Sequence, residues 1–332
     1  MSLVQTVLKL LANGEFHSGS ALGRVTGCSR SAVWKAIKAL RDSGLEIYSV
    51  RGKGYRLSRP VEMLDMDKVR AALNTGSVQA IHCLEVFHDI DSTNTYLLER
   101  AKQGDNRVRA CLAETQRTGR GRRGRNWVSP PGGNLYLSLS WCFDSGARGL
   151  SGLSLAAAVA VMRALAGMGL HQARLKWPND ILCEGRKLAG ILLELAGEAE
   201  GPCAVVVGVG LNVRVPPGEM SSVEQPWTDL ETALCATVSR NGLAARLLNE
   251  LCHALASFEH QGLEPFLEEW AQWDGLAGQD VCLALPQGTV RGVVRGVDEH
   301  GALLLAHDGV LQRYHSGEVS VRLAADPRDP AQ

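Results

Sequence analysis

The sequence predicts an α+β chain of three units in series: an N-terminal winged helix-turn-helix, a central mixed α/β body and a small C-terminal β barrel. Three observations predict it. Basic residues gather in one stretch near the start, strand-like and helix-like apolar runs mix through the middle, and the tail alternates apolar and polar residues between Gly-bearing turns. With 332 residues, 45% of them hydrophobic, the chain can bury more than one core.

The first unit is expected over residues 1–62. Helix patterns fall at 2–12, 18–25 and 29–41, the last two separated by Thr26-Gly27-Cys28, a turn with Gly where a left-handed backbone is easiest. In the third helix Val33, Ala36, Ile37 and Leu40 form an apolar stripe. Ser29, Arg30, Ser31, Trp34, Lys35 and Lys38 fall on the opposite face, as a recognition helix offers to a major groove. The strand-like runs at 45–50 and 54–58 are joined by Arg51-Gly52-Lys53-Gly54, a wing whose cations suit a phosphate backbone. Residues 24–59 carry nine basic and two acidic side chains, a local +7, whereas the whole chain balances 35 Lys+Arg against 35 Asp+Glu. Affinity for nucleic acid therefore has to be local. The alternative is a solvated basic helical bundle without a partner.

After Pro60 and a connector at 61–67, the central body is expected over 68–274. Strand patterns occur at 111–114, 135–141, 190–195 and 204–209, and helical ones at 153–167 and 243–258. The tail over 275–323 reads as short strands and turns of a small barrel. Nine cysteines with no C-x-x-C pair argue against a disulfide framework and suit a reducing compartment. The N-terminus is an amphipathic helix pattern, and the longest apolar run, 150–162, falls short of the ~20 residues of a membrane helix. A cytoplasmic protein without a membrane partner is expected.

The most unusual stretch runs from Gln116 through Gly119-Arg120-Gly121-Arg122-Arg123-Gly124-Arg125 to Trp127. It contains G-x-G-x-x-G, but residues 128–133, rich in Pro and Gly, follow where a dinucleotide fold needs a helix. A nucleic-acid patch is the other ordinary reading of so many arginines. Interleaved Arg and Gly predict a loop too mobile to order alone, one that orders when an anion arrives within reach of its amides and guanidiniums. Asp91-Ser92-Thr93-Asn94 caps a helical run, which turns amides toward a ligand. Lys176-Trp177-Pro178-Asn179-Asp180 and Arg186-Lys187-Leu188-Ala189-Gly190 place further cations and an amide nearby in sequence.

Taken in order, D-S-T-N, Q-x-x-G-R-G-R-R-G-R-x-W, N-L-Y-L-S, K-W-P-N-D, R-K-L-A-G-I-L-x-E and G-x-G-x-N resemble the biotin protein ligases. With the winged helix ahead of them, they resemble the bifunctional bacterial ligase and biotin-operon repressor. The resemblance implies a biotin/lipoate-ligase type central fold and an SH3-like C-terminal barrel. It also implies a two-step reaction, in which biotin and ATP with Mg2+ give biotinyl-5'-AMP, which an acceptor lysine then attacks. The expected acceptor is the biotin carboxyl carrier protein of acetyl-CoA carboxylase. Operator DNA is the second partner, with biotinyl-5'-AMP as corepressor of a homodimer.

Carried over by position, Ser92, Thr93, Asn94 and Gln116 would hold the biotin ring and its ureido group. Gly119, Arg120, Gly121 and Arg122 would cover carboxylate and phosphate. Lys187 would pair with either anion, Lys176 and Asn179 would lie on the nucleotide side with Gly190 nearby, and Asn212 would contact adenine. Trp127 would wall the biotin tail and Trp227 would close over adenine. Arg122, Lys176 and Lys187 are the expected catalytic cations, metal ligands stay unassigned, and Asp180 is open between orienting magnesium and orienting a lysine. Residues 213–225, with two adjacent prolines, depart from the family's pattern, so how that loop orders stays open. Two rivals remain: a sensing repressor without ligase activity, and a lipoate or octanoate ligase.

Overall fold

The structure, a computed structural model, describes residues 2–144, 146–197, 201–215, 220, 223–285, 288–315 and 320–323. Three helices open the chain, α1 (Leu3–Leu11), α2 (Gly19–Thr26) and α3 (Arg30–Asp42), each started by a serine, Ser2, Ser18 or Ser29, whose hydroxyl accepts from the first turn. Gly27 ends α2 with φ 68°, the left-handed conformation that the Thr26-Gly27-Cys28 spacing predicts. The hairpin β1 (Ile47–Val50) and β2 (Gly54–Leu57) pairs antiparallel, and His17 bridges to Tyr55. Val7, Leu11, Leu22, Val33, Ile37 and Leu40 close a separate small core beneath it.

Helices α4 (Met66–Ala71) and α5 (Thr75–Ala80) lead into a seven-stranded sheet. Its strands are β3 (Cys83–Phe87), β4 (Arg109–Ala113), β5 (Leu135–Phe143), β6 (Ala173–Lys176), β7 (Asp180–Cys183), β8 (Arg186–Gly197) and β9 (Cys203–Leu211). They order as β3-β4-β5-β9-β8-β7-β6, antiparallel except β3 with β4, which are joined by the crossover helix α6 (Thr93–Lys102). Strand alternation sets the layers. Cys111 and Val206 pack with Leu97 of α6, while Leu112, Val205 and Val207 join the core under α7 (Leu153–Ala166) and α9 (Arg240–Gln261). The short helices α8 (Leu230–Leu234) and α10 (Leu267–Trp273) flank this layer.

The connector after the winged unit is fastened by buried polar groups. Arg240 donates to the Glu114 carboxylate at 2.7 Å and to the Glu62 carbonyl at 2.8 Å, while the amide of Leu64 donates to Glu114. Both Arg240 and Glu114 are buried, so each supplies the compensation that the other needs in an apolar setting.

The tail forms β10 (Asp280–Leu285), β11 (Gly288–Val297), β12 (Leu303–His307), β13 (Val310–Tyr314) and β14 (Ser320–Leu323), ordered β13-β12-β11-β10-β14. A small antiparallel β unit is thus present, with β13 and β14 as outer strands among the described residues. Its Val281, Leu283, Val294 and Leu305 share the central hydrophobic core rather than enclosing one apart. Among the described residues, no helix is long and apolar enough to cross a membrane.

Candidate functional site

A cleft of about 670 Å3 opens where the start of α6, the Arg-Gly loop, the β6–β7 turn and strands β8 and β9 converge. Ser92, whose hydroxyl accepts from the Thr95 amide at 3.4 Å, starts α6 at one end. Thr93 donates to Gln116 Oε1 through both its amide (2.9 Å) and its hydroxyl (3.1 Å). Ser138 Oγ lies 2.7 Å from Thr93 Oγ1 and 2.6 Å from Asn94 Oδ1. These neutral donors and acceptors form a buried polar floor.

Trp127 forms a wall by packing closely against two glycines. A Cβ on Gly210 would come within 2.6 Å of the indole, and one on Gly190 within 3.1 Å, so only glycine lets the ring approach the sheet this closely. Over the ring, 5.5 Å from its centroid, sits Lys187 Nζ, which also pairs with Asp180 Oδ1 at 2.8 Å. Of the two roles open to Asp180, the structure displays the lysine contact.

The Arg-Gly loop is folded in this structure, whereas its composition alone predicts a mobile segment without an anion. Acids and backbone bonds account for the difference. Arg117 pairs with Asp89 and, at 2.8 Å, with Asp91; Arg120 pairs with Glu194 at 2.7 Å. The Gly121 amide donates to the Arg125 carbonyl at 2.7 Å, and the Trp127 amide to the Gly119 carbonyl at 2.9 Å. Arg122, in a single turn of 3-10 helix, donates to Asn179 Oδ1 at 3.0 Å, and Asn179 in turn donates to the Ile191 carbonyl at 2.6 Å. Burial, followed by repulsion from Arg123 and Arg125, lowers the Arg122 pKa against the opposing pull of Asp180, but a guanidinium remains cationic.

The cleft therefore collects Ser92, Thr93, Asn94, Gln116, Arg120, Gly121, Arg122, Trp127, Lys176, Asn179, Lys187, Gly190, Asn212 and Trp227. Gly119 stands behind it, its Cα hydrogens facing the Trp127 carbonyl and Ser129. Asn212 is only 1% exposed, and its Nδ2 donates to the Thr228 carbonyl at 3.1 Å. Trp227 pairs through its backbone with Lys187. Of the variable loop 213–225, positions 216–219, 221 and 222 lie outside the described residues, while Val223, Glu224 and Gln225 reach the cleft. Sequence reading missed Glu194, although it ends the R-K-L-A-G-I-L-x-E run. It also missed Arg322, brought to the cleft by β14, and the pairing of Arg117 outside the cleft with Asp89 and Asp91. Arg322 has no local signal, because only the placement of the tail sheet brings it there. Among the described residues, no three His, Cys, Asp or Glu side chains gather as a metal site.

On the N-terminal unit, Ser29, Arg30, Ser31, Trp34, Lys35 and Lys38 are all exposed on one side of α3, and Trp34 is 53% accessible. Arg51 and Lys53 are exposed in the wing turn, and Lys53 Nζ lies 5.8 Å from the Phe16 ring centroid.

A cationic cleft with a neutral polar floor, carried on a mixed sheet behind a winged helix, defines a carboxylate-activating ligase type of site joined to a DNA-binding type of module. Residues 86–212 match the biotin/lipoate A/B protein ligase family, residues 4–56 an HTH domain, and residues 277–322 the biotin protein ligase C-terminal domain. The chain is 43% identical to the bifunctional ligase/repressor BirA of Escherichia coli, over 96% of this chain and 97% of that one. It is equally 43% identical to its Salmonella typhimurium counterpart over the same shares. A solved biotin protein ligase from Aquifex aeolicus in complex with biotin and ATP superposes with a TM-score of 0.62 at 27% identity, covering 74% of this chain and all of that one. The chain belongs to the biotin protein ligase family, in its bifunctional ligase/repressor form.

Proposed function

We propose that the protein is an ATP-dependent biotin–protein ligase, a biotin–[acetyl-CoA-carboxylase] ligase, that also represses transcription of biotin synthesis genes. The observation that carries the ligase reading is one cleft holding both a neutral hydrogen-bonding floor, Thr93, Asn94 and Gln116 backed by the buried Ser138, and the cations Arg122, Lys176 and Lys187. A ureido ring is neutral and carries both donors and acceptors; the acid at the end of its apolar tail is an anion. The cleft offers a partner to each, with Trp127 between them.

In the first step a biotin carboxylate oxygen bonds to the α-phosphorus of ATP as the bond to pyrophosphate breaks. Two anions must meet, so the cations lower the barrier by opposing charge where it builds. Magnesium enters on the triphosphate, which supplies oxygen ligands of its own, and no protein ligand is assigned to it. In the second step the lysine Nζ of a carboxyl carrier domain attacks the acyl carbon, AMP leaves with the bonding electrons, and the amine loses a proton. Arg122, lying over the β6–β7 turn, retains the mixed anhydride until then. Asn212 lines the cleft where it contacts adenine, and its amide bond to the Thr228 carbonyl holds that segment in place.

The exposed faces of α3 and the wing serve operator DNA, with biotinyl-5'-AMP as corepressor of a homodimer that reads two half-sites. The chain is read as units at 1–62, 68–274 and 275–323, the last an SH3-like barrel, acting in the cytoplasm. Incubating the protein with biotin, Mg-ATP and a carboxyl carrier domain tests the ligase half. A carrier heavier by one biotinyl group is expected, and an unchanged mass overturns it. Replacing biotin by lipoate or octanoate separates the rival acids.

A further inference from the structure

Glu194 takes no part in the reaction as set out above, yet it sits inside the sheet, on β8 opposite Val206, with its side chain only 16% exposed. A carboxylate in such a place is costly unless it is partnered. Its two oxygens divide between two parts of the site. Oε2 accepts from Asn94 Nδ2 at 3.0 Å, and Oε1 pairs with Arg120 at 2.7 Å.

Asn94 is itself part of the polar floor, because its Oδ1 lies 2.6 Å from Ser138 Oγ. Its backbone carries no freedom to compensate, since it lies in the first turn of α6. Arg120 stands two residues before Arg122, in the loop that covers the cleft. A single carboxylate thus joins the floor to the cover.

We propose that Glu194 is a positioning residue, a buckle that fastens the Arg-Gly loop through Arg120 to the floor that receives the ureido ring. The inference rests on the biotin-adenylating reading of the cleft and assigns a role inside it. Arg120 then serves the fastening, while Arg122 and Lys187 face the reacting anions. Ser138 and the Leu192 carbonyl fix the Asn94 amide, the amide orients the carboxylate, and the carboxylate holds the loop over the mixed anhydride.

The test uses the full chain, loaded with labelled biotin and Mg-ATP, freed of excess nucleotide and chased with unlabelled biotin. The readout is the rate at which biotinyl-adenylate leaves, set beside the melting temperature of the ligand-free protein. Glu194→Gln removes the charge while keeping the shape. For a half-exposed pair we expect release to quicken by roughly three- to tenfold. Arg120→Gln should do the same with an unchanged melting temperature, and it carries the test should Glu194→Gln fail to fold. The double variant should release no faster than either single one, because the two residues act through one contact. Release at the wild-type rate from the single variants, or effects that multiply in the double, overturns the buckle alone. A wild-type chain that forms no adenylate overturns the proposed function and the buckle together.

Discussion

Lys187 Nζ lies 2.8 Å from Asp180 Oδ1, a contact across the β7–β8 hairpin that holds a cation over the indole of Trp127. On the proposed function this contact aims the ammonium in advance, which spares reorganisation when charge develops on the acyl phosphate.

Lys187→Ala should lower the rate of biotin-dependent adenylate formation by roughly 10²–10³-fold, in line with loss of one preorganised electrostatic partner. Asp180→Asn should give a smaller loss, because the cation stays but is less well held. Single-turnover measurement of AMP formation checks both; equal losses would mean that Asp180 does more than orient the lysine.

Arg122→Gly should keep the fold and still form the adenylate, more slowly because one opposing cation is gone, but leak it. The measurement is labelling of bystander lysines on an unrelated protein, expected to rise well above wild type. A variant that loses biotin binding altogether contradicts the retaining role.

Much of this was legible in the sequence. The serine caps and Gly27 place the first three helices, and the apolar run 204–209 locates β9 within two residues at each end. Of the residues the motifs single out for biotin and nucleotide, all but Gly119 line one cleft. Long-range placement was not legible. Nothing near Arg322 points to a cleft built so far upstream in the chain, and the folding of the Arg-Gly loop depends on acids at Asp89, Asp91 and Glu194 that lie far from it in sequence. The shared core of the tail and central sheets was likewise hidden, because local alternation reports that a strand has a buried face but not what covers it.

Gly210→Ala places a methyl group within 2.6 Å of the Trp127 ring. Trp127 must move, at a cost of about 1–3 kcal/mol in stability, and biotin affinity should fall with it. Denaturant unfolding and biotin titration by tryptophan fluorescence check the two effects. Unchanged affinity would remove Trp127 from the biotin wall.

Arg240→Ala leaves the Glu114 carboxylate buried without its partner, which should cost about 3–5 kcal/mol. Because the same guanidinium holds the Glu62 carbonyl, the winged unit should also become easier to cleave from the rest. Urea midpoints and limited proteolysis at the connector report these separately.

Lys35→Ala and Lys53→Ala should weaken operator binding and reduce the slope of log affinity against log salt, by about 0.9 for each DNA phosphate that the variant no longer neutralises. Adenylate formation should be untouched, since both side chains are exposed on the N-terminal unit. Salt-titrated gel shifts beside an AMP assay make the comparison.

The central claim is that the cleft joins a vitamin carboxylate to adenylate, and conversion of Mg-ATP to AMP and pyrophosphate by the purified chain measures it most directly. The account predicts conversion that depends on biotin and is slowed by roughly 10²–10³-fold in Lys187→Ala. ATP left intact in the presence of biotin, or hydrolysed equally without it, would contradict the account.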